Sequence, residues 1–258
     1  MSDNSRAAAE NFDHASRGIS ASDSTLTAPK LAPEIPEYLQ DTYWWAYLHP
    51  KSFYFFERKW VVNLILWGNM KRLTEMVLEE LPDEPQSTIL QIACVYGEFS
   101  SKVADHLDKT GSRLEIVDVA PIQLENVEKK LTGKQNVGVH NLDSTSMTFP
   151  DASFEQTVVF FLLHEQPEYA RRKTVEEAIR VTRPGGKVIF VDYHGPQRKN
   201  PMRYVMKPIL AWLEPYAMDL WREELPAFFP ASIKPEQIES EFYFGDLYQK
   251  IVVTLNSA

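Results

Sequence analysis

Ile89-Leu90-Gln91-Ile92-Ala93-Cys94-Val95-Tyr96-Gly97 is an apolar run that closes on small residues and a glycine. Ile89 to Val95 reads as a buried strand entering a tight turn. Phe99, Val103 and Leu107 then lie on one face of a helix that stops at Gly111, a residue suited to a left-handed cap. The alternation continues with a strand at Leu114 to Val119, a helix at Ile122 to Leu131 ending at Gly133, and a strand at Val137 to Leu142. A fourth strand, Thr157 to Leu163, is apolar throughout, as a strand covered on both faces must be. A helix at Arg171 to Val181 leads through Arg183-Pro184-Gly185-Gly186, read as a tight turn, into a fifth strand at Lys187 to Asp192. Five short strands joined by helical crossovers predict an α/β fold with a doubly wound, mostly parallel sheet.

Outward from this core the composition shifts. Residues 1–38, rich in Ser and Ala and punctuated by Pro29, Pro33 and Pro36, read as a disordered lead-in; they lack the apolar core of a signal peptide, and their acids weaken a transit-peptide reading, which stays open as the alternative. Residues 39–84 form a helical, aromatic-rich cap: ten of the 25 residues from Tyr43 to Trp67 are aromatic, a density beyond that of an ordinary cap. Val62, Leu66, Met70, Leu73, Val77 and Leu81 recur at helical spacing, which predicts one long helix ended by Pro82 and Pro85. Residues 85–258 are the main domain. Within it a proline-interrupted segment at about 195–235 reads as an inserted lid, and Glu241 to Thr254 as a closing hairpin around Gly245 and Asp246.

Composition narrows the function. The 258 residues carry 27 Lys plus Arg against 36 Asp plus Glu, an excess of nine negative charges that argues against a nucleic-acid partner. A single cysteine makes neither an internal disulfide nor a thiolate-rich zinc site, so any metal must be held by His, Asp or Glu. The longest wholly apolar run, Val158 to Leu163, is far short of the roughly 20 residues that cross a bilayer.

In a doubly wound sheet, ligands bind outside the carboxyl ends of the strands. Those ends hold Cys94 to Gly97, Asp118, Asp143 with Ser144, His164 with Glu165, and Asp192 with Tyr193 and His194. Together they direct three Asp, one Glu and two His at one crevice.

The run from Ile89 to Gly97, Asp118, Asp143 and Arg180-Val181-Thr182-Arg183-Pro184-Gly185-Gly186, in that order, resemble the class I S-adenosylmethionine-dependent methyltransferase fold over residues 85 to 254. Longer motifs are more specific. Tyr43-Trp44-Trp45-Ala46-Tyr47-Leu48-His49-Pro50, Asn63 to Asn69, Val117 to Leu124, Phe160 to Pro167 and Leu213 to Trp221 resemble the rhodoquinone biosynthesis family RquA. That resemblance implies conversion of ubiquinone to rhodoquinone, an amino group replacing a ring methoxy group, with S-adenosylmethionine as nitrogen donor and manganese as cofactor.

Several site expectations follow from the resemblance. It implies that Asp118 accepts from the ribose hydroxyls and Asp143 from the adenine amino group, with Val119 and Ser144 beside them. Gln91, Ala93, Val95 and Gly97 occupy the loop where such methyltransferases carry an acid and alternating glycines. Val95 there resists positive φ and adds bulk, so the methionine end of the donor is expected to leave its usual pose. Manganese prefers oxygen and imidazole ligands, which His164, Glu165 and His194 offer; His164 and Glu165 are also the expected catalytic pair. Tyr43, Trp44, Trp45 and Tyr193 are expected against the quinone.

Each of these has a structural counterpart. The pair His164 and Glu165 also suits a strand-end turn that bonds its own loop, Asp118 and Asp143 suit caps or turns, and Cys94 a small buried hydrophobe. The aromatic stretch is either core or an apolar slot for a polyisoprenoid tail. Arg198 to Leu213 mixes basic and apolar residues as interfacial helices do, and a peripheral contact with the inner membrane from the cytoplasmic side, or from the matrix side in a eukaryote, suits a substrate dissolved in the bilayer. The residues leave the oligomeric state open. Two rival functions stand beside amination: an ordinary quinone or quinol methyltransferase, and a non-catalytic cofactor-binding scaffold of quinone synthesis.

Overall fold

The computed structural model describes residues 33–43 and 57–257. Its strands are β1 (Thr88–Ile92), β2 (Arg113–Asp118), β3 (Val137–Asn141), β4 (Phe154–Phe160), β5 (Thr182–Tyr193), β6 (Ile238–Tyr243) and β7 (Tyr248–Thr254). They form one sheet in the order β3-β2-β1-β4-β5-β7-β6. The first five are parallel to one another, and β7 runs antiparallel between β5 and β6. The doubly wound, mostly parallel sheet and its closing hairpin are as expected.

The helices are α1 (Glu37–Thr42), α2 (Lys59–Ile65), α3 (Met70–Leu78), α4 (Phe99–Asp108), α5 (Pro121–Lys130), α6 (Glu168–Val181) and α7 (Met202–Leu213). Two apolar cores form between helices and sheet. One gathers Leu73, Met76 and Val77 of α3 with α4, where Phe99 stacks on Phe160 at 3.9 Å between ring centroids. The other sets Val175, Ala178 and Val181 of α6 against Leu90, Val159 and Phe190. With both sheet faces covered, β1 and β4 are buried along nearly their whole length. The outer strand β6 instead exposes Glu239, Ser240 and Glu241, and the two charges discourage edge-to-edge pairing.

Several boundaries differ from the sequence reading: the fourth strand is Phe154–Phe160 rather than Thr157 to Leu163, and the fifth begins at Thr182, so Arg183 to Gly186, read as a tight turn, lie within it. The helix expected from Val62 to Leu81 is two helices, because Trp67 (φ +52°) and Gly68 (φ +79°) turn left-handed between them. The apolar spacing runs on through a break that the backbone makes. The first strand ends at Ile92 rather than Val95, since Ala93 takes φ +74°. Of the lead-in expected over residues 1–38, residues 1–32 lie outside the described residues, and α1 begins at Glu37.

α6 passes into β5 without an intervening loop, and Gly186 sits where this junction is tightest. A β-carbon there would come within 2.4 Å of the Glu155 carbonyl oxygen and 2.9 Å of that of Arg183. We therefore expect Gly186→Ala to cost roughly 1–3 kcal/mol in urea unfolding through overpacking. An unchanged midpoint would show that the junction yields freely.

Candidate functional site

The chain winds one way from β1 through β2 to β3, then returns to place β4 on the other side of β1. The crevice at that reversal is where such a sheet binds ligands. It contains a cavity of about 1310 Å³, counted out to its open mouth, walled by the residues that follow β1, β2, β3 and β4 and by Tyr193 at the end of β5. Tyr38 and Leu39 of α1, Val62, Ile65 and Leu66 from α2 and the residue after it, and Glu214 just past α7 complete the wall. The cap and the lid segment thus both contribute to the site.

Two wall residues stand in the left-handed region without being glycine: Ala93 after β1, and Phe161 (φ +53°) after β4. Each conformation costs about 1–2 kcal/mol. Such strain persists where surrounding structure holds it, often at functional sites. The left-handed turn of a glycine-bearing loop is therefore kept at Ala93. Val95, a residue that resists positive φ, is not in that region, and it lines the cavity. Lys130 fastens this loop, donating to the Gly97 carbonyl at 2.8 Å and to Glu57 at 2.9 Å.

Asp118 accepts the Cys94 N–H at 2.7 Å on one oxygen and the Ala120 N–H at 2.8 Å on the other. Loss of water raises its carboxyl to about 6, against the pull of those N–H groups. The Cys94 thiol and the Val119 N–H also bond this carboxylate. Asp143 accepts both the backbone N–H and the hydroxyl of Thr145 on one oxygen, which makes it a turn former as well as a wall residue. Gln123, also in the wall, is buried and turns its side-chain amide toward the Tyr96 hydroxyl. Two carboxylates, of which Asp143 bonds its own turn through one oxygen only, and a buried amide fit a polar, nucleoside-bearing ligand, so Asp118, Asp143 and Gln123 are the residues that would hold S-adenosylmethionine.

Across the cavity, Asp192 organises the second group. One oxygen accepts from His164 Nδ1 at 2.8 Å and from the Tyr193 N–H at 2.7 Å; the other accepts the N–H groups of Leu163 and His164 at 2.9 and 3.2 Å. Burial alone would lower His164, but Asp192, joined by Glu165 and Glu214, outweighs it and holds the imidazole up at about 9. At neutral pH His164 is therefore an imidazolium. Its Nε2 lies 3.7 Å from Glu165, and its ring meets the Phe161 and Tyr193 rings edge to face. Burial also pushes the Glu214 carboxyl above its usual range, while His164 and the Tyr43 hydroxyl pull the other way.

Arg171 holds the turn that carries His164. It is fully buried, donates to the carbonyls of Leu163 and Gln166 at 2.9 Å each, and reaches the Tyr216 carbonyl of the lid segment at 3.0 Å. Its guanidinium also lies over the Phe228 ring. Gln166 in turn donates to Ser144 and Thr174, which joins the ends of β3 and β4. None of Arg171, Glu214 and Gln123 was identified from the sequence. Arg171 had a signal: it lies on the face of α6 that also buries Thr174, Val175 and Ala178.

Of the expected site residues, Ala93, Val95, Asp118, Val119, Asp143, Ser144, His164, Glu165 and Tyr193 share the cavity wall. Gln91 and Gly97 do not. Gln91 is buried beneath the loop, donating to the Ala93 carbonyl and the Ser100 hydroxyl, and Gly97 lies against Val62. His194 is also elsewhere: its Nδ1 pairs with the Asp246 carbonyl and its N–H with the Leu247 carbonyl, because the hairpin turn claims it. The expected manganese triad of His164, Glu165 and His194 is thus not assembled, and among the described residues no group of three His, Cys, Asp or Glu is placed to hold a metal. Trp44 and Trp45 lie outside the described residues, whereas Tyr43 is buried and meets the Tyr216 ring.

A family model described as a methyltransferase domain matches residues 89–186. Demethylmenaquinone methyltransferases are among the curated relatives. That of Bacillus licheniformis is 25% identical over 135 residues, 52% of this chain and 57% of its own length. That of Clavibacter sepedonicus is 29% identical over 108 residues, 42% of each chain. The chain therefore spans about half the length of the curated relatives it matches. Among solved structures, the N-methyltransferase NodS of Bradyrhizobium japonicum superposes with a TM-score of 0.52 at 15% identity, covering 72% of this chain and 96% of its own. The CurJ carbon methyltransferase gives 0.52 at 15% identity, covering 72% and 54%. Domain match and architecture agree: residues 89–186 lie within a fold of the class I S-adenosylmethionine-dependent methyltransferase type.

Because the one buried Arg171 guanidinium bonds three carbonyls across two segments, Arg171→Met should lower unfolding stability by roughly 3 kcal/mol or more. A loss below about 1 kcal/mol, the range of ordinary surface changes, would contradict this role.

Proposed function

We propose that this chain is an S-adenosylmethionine-dependent transferase that acts on an isoprenoid quinone or its quinol. The observation that carries the reading is the division of one cavity into two ends. Asp118, Asp143 and Gln123 offer polar partners at one end, and a buried imidazolium flanked by carboxylates waits among aromatic walls at the other. A quinone ring suits the second end, since its apolar face rests on Phe161 and Tyr193 while its oxygens seek a donor. The curated relatives, which are named for a quinone substrate, support the same acceptor class.

Methyl transfer is the first reading. S-adenosylmethionine supplies an electrophilic methyl group when bound. This chain's task is then to ionise and orient the acceptor, with Glu165 or Glu214 taking a ring hydroxyl proton and His164 stabilising the oxygen charge that results. The cap and the lid segment exclude water from that step.

Amination is the second reading, the one implied by resemblance to the rhodoquinone family. It is favoured by the first loop, where Ala93 and Val95 replace the usual glycines. In that case a carboxylate removes a proton from the donor amine before attack, and His164 stabilises the quinone oxygen and protonates the methoxy group, which departs as methanol; the donor's Cα–N bond then breaks by loss of the Cα proton, the ring taking the electron pair to the quinol level, and by hydrolysis with water to a 2-oxo acid, so that the ring keeps the nitrogen. No step passes through manganese, whose expected donors stand apart.

Incubation with S-adenosylmethionine labelled at the methyl carbon or at the amino nitrogen separates the two by mass spectrometry of the quinone. Methyl label in the ring product supports the first reading and nitrogen label the second. Cofactor binding with neither product would leave only a scaffold. His164→Ala should lower turnover at least about a hundredfold with unchanged circular dichroism. Donor affinity should rise with pH through about 6, as Asp118 ionises, and turnover should fall through about 9, as His164 loses its proton. A turnover that keeps rising past pH 9 would remove the imidazolium from the chemistry.

A further inference from the structure

We propose that α7, with the adjoining corner of α2, is the face by which this protein sits on an anionic lipid bilayer. α7 buries only Met206 and Leu210, and turns Tyr204, Val205, Ile209 and Trp212 outward, Trp212 being 82% exposed. A helix facing water presents polar residues on that side. Here Lys207 is the only charged residue among the exposed positions of α7.

Charge identifies the occupant. From Gly195 to Leu213 the chain carries Arg198, Lys199, Arg203 and Lys207 and no acid, within a protein of net charge −9. Outward Trp and Tyr beside Lys and Arg match a headgroup layer that is anionic outside and apolar within. A second copy would have to bring the same basic strip against itself, since a two-fold contact pairs identical surfaces. That repulsion disfavours self-association through this face.

The face also leads to the cavity. The Trp67 indole N–H donates to Met206 Sδ at 3.0 Å, which fixes the corner after α2 against α7. Ile65 lines the cavity and is 43% exposed, so it stands at the rim, with Leu64 exposed beside it. The bilayer contact and the cavity mouth are thus neighbours, and a ring leaving the lipid passes Ile65 to reach His164. This route rests on the quinone reading; the docking face itself does not, and among the described residues no helix is long and apolar enough to cross a membrane.

The test is sedimentation of the full chain with phosphatidylcholine vesicles, with and without phosphatidylserine, alongside turnover of a short-chain, water-soluble quinone. Binding should require phosphatidylserine and weaken with salt. Lys199→Gln combined with Lys207→Gln should reduce partitioning about tenfold or more, as should Trp212→Ser, with melting temperature and donor affinity unchanged. Absence of vesicle binding, binding that these variants leave intact, or a dimer that Trp212→Ser dissociates would each overturn the proposal. Retained turnover without vesicle binding removes the docking face alone, and vesicle binding without turnover strikes the quinone reading alone.

Discussion

The Asp192 carboxylate is the constraint on which the site depends. It closes β5 and accepts four hydrogen bonds: the His164 ring and three backbone N–H groups, two of them from the turn after β4. A carboxylate placed this way stitches two neighbouring strand ends together and fixes a charge beside an imidazole that burial would otherwise neutralise. The consequence is an imidazolium in an apolar cavity, which is costly without its counter-charge and effective at stabilising negative charge because it has one.

Around that pair the structure is built to keep the turn still. Arg171 holds its carbonyls from beneath and reaches the lid segment through Tyr216, so the segment that brings Glu214 to the cavity is tied to the same cation as the segment that brings His164. The electrostatics carry a stability signature. Asp118 and His164 are both raised above their ordinary values, so each favours the folded state most while protonated. The Asp118 contribution is lost between about 3.8 and 6, and that of His164 between about 6.5 and 9. Both groups therefore make the folded chain less stable as pH rises, and the binding of a hydroxylated donor at Asp118 offsets part of that loss.

Much of this was legible in the residues, because apolar runs of strand length and stripes at helical spacing are set by burial, and burial is what the sheet imposes. The crevice followed from the same reading: once Asp118, Asp143, His164 and Tyr193 were placed at strand ends, the winding of the sheet brought them together. What failed did so for local reasons. The stripe from Val62 to Leu81 is continuous in spacing but interrupted in backbone at Trp67 and Gly68. His194 is one residue past the strand end, and that single step carries it into the hairpin's hydrogen bonds and out of the cavity. Gln91 obeys the alternation of the strand and so points beneath the loop. Glu214 could not be found from spacing, since only the path of the lid segment brings it beside His164. Arg171 could have been found, for its position on the buried stripe of α6 was plain, and a charged residue on such a stripe is a statement about what it must hold.

The central claim is that Asp192 keeps His164 protonated at neutral pH. Nitrogen-15 NMR of the His164 ring across pH 5 to 10 tests it most directly, in the native chain and in Asp192→Asn. The account predicts a midpoint near 9 that falls below the ordinary 6.5 in the variant, where burial acts with less opposition. A native midpoint at or below 6.5, or one that Asp192→Asn leaves in place, would contradict it.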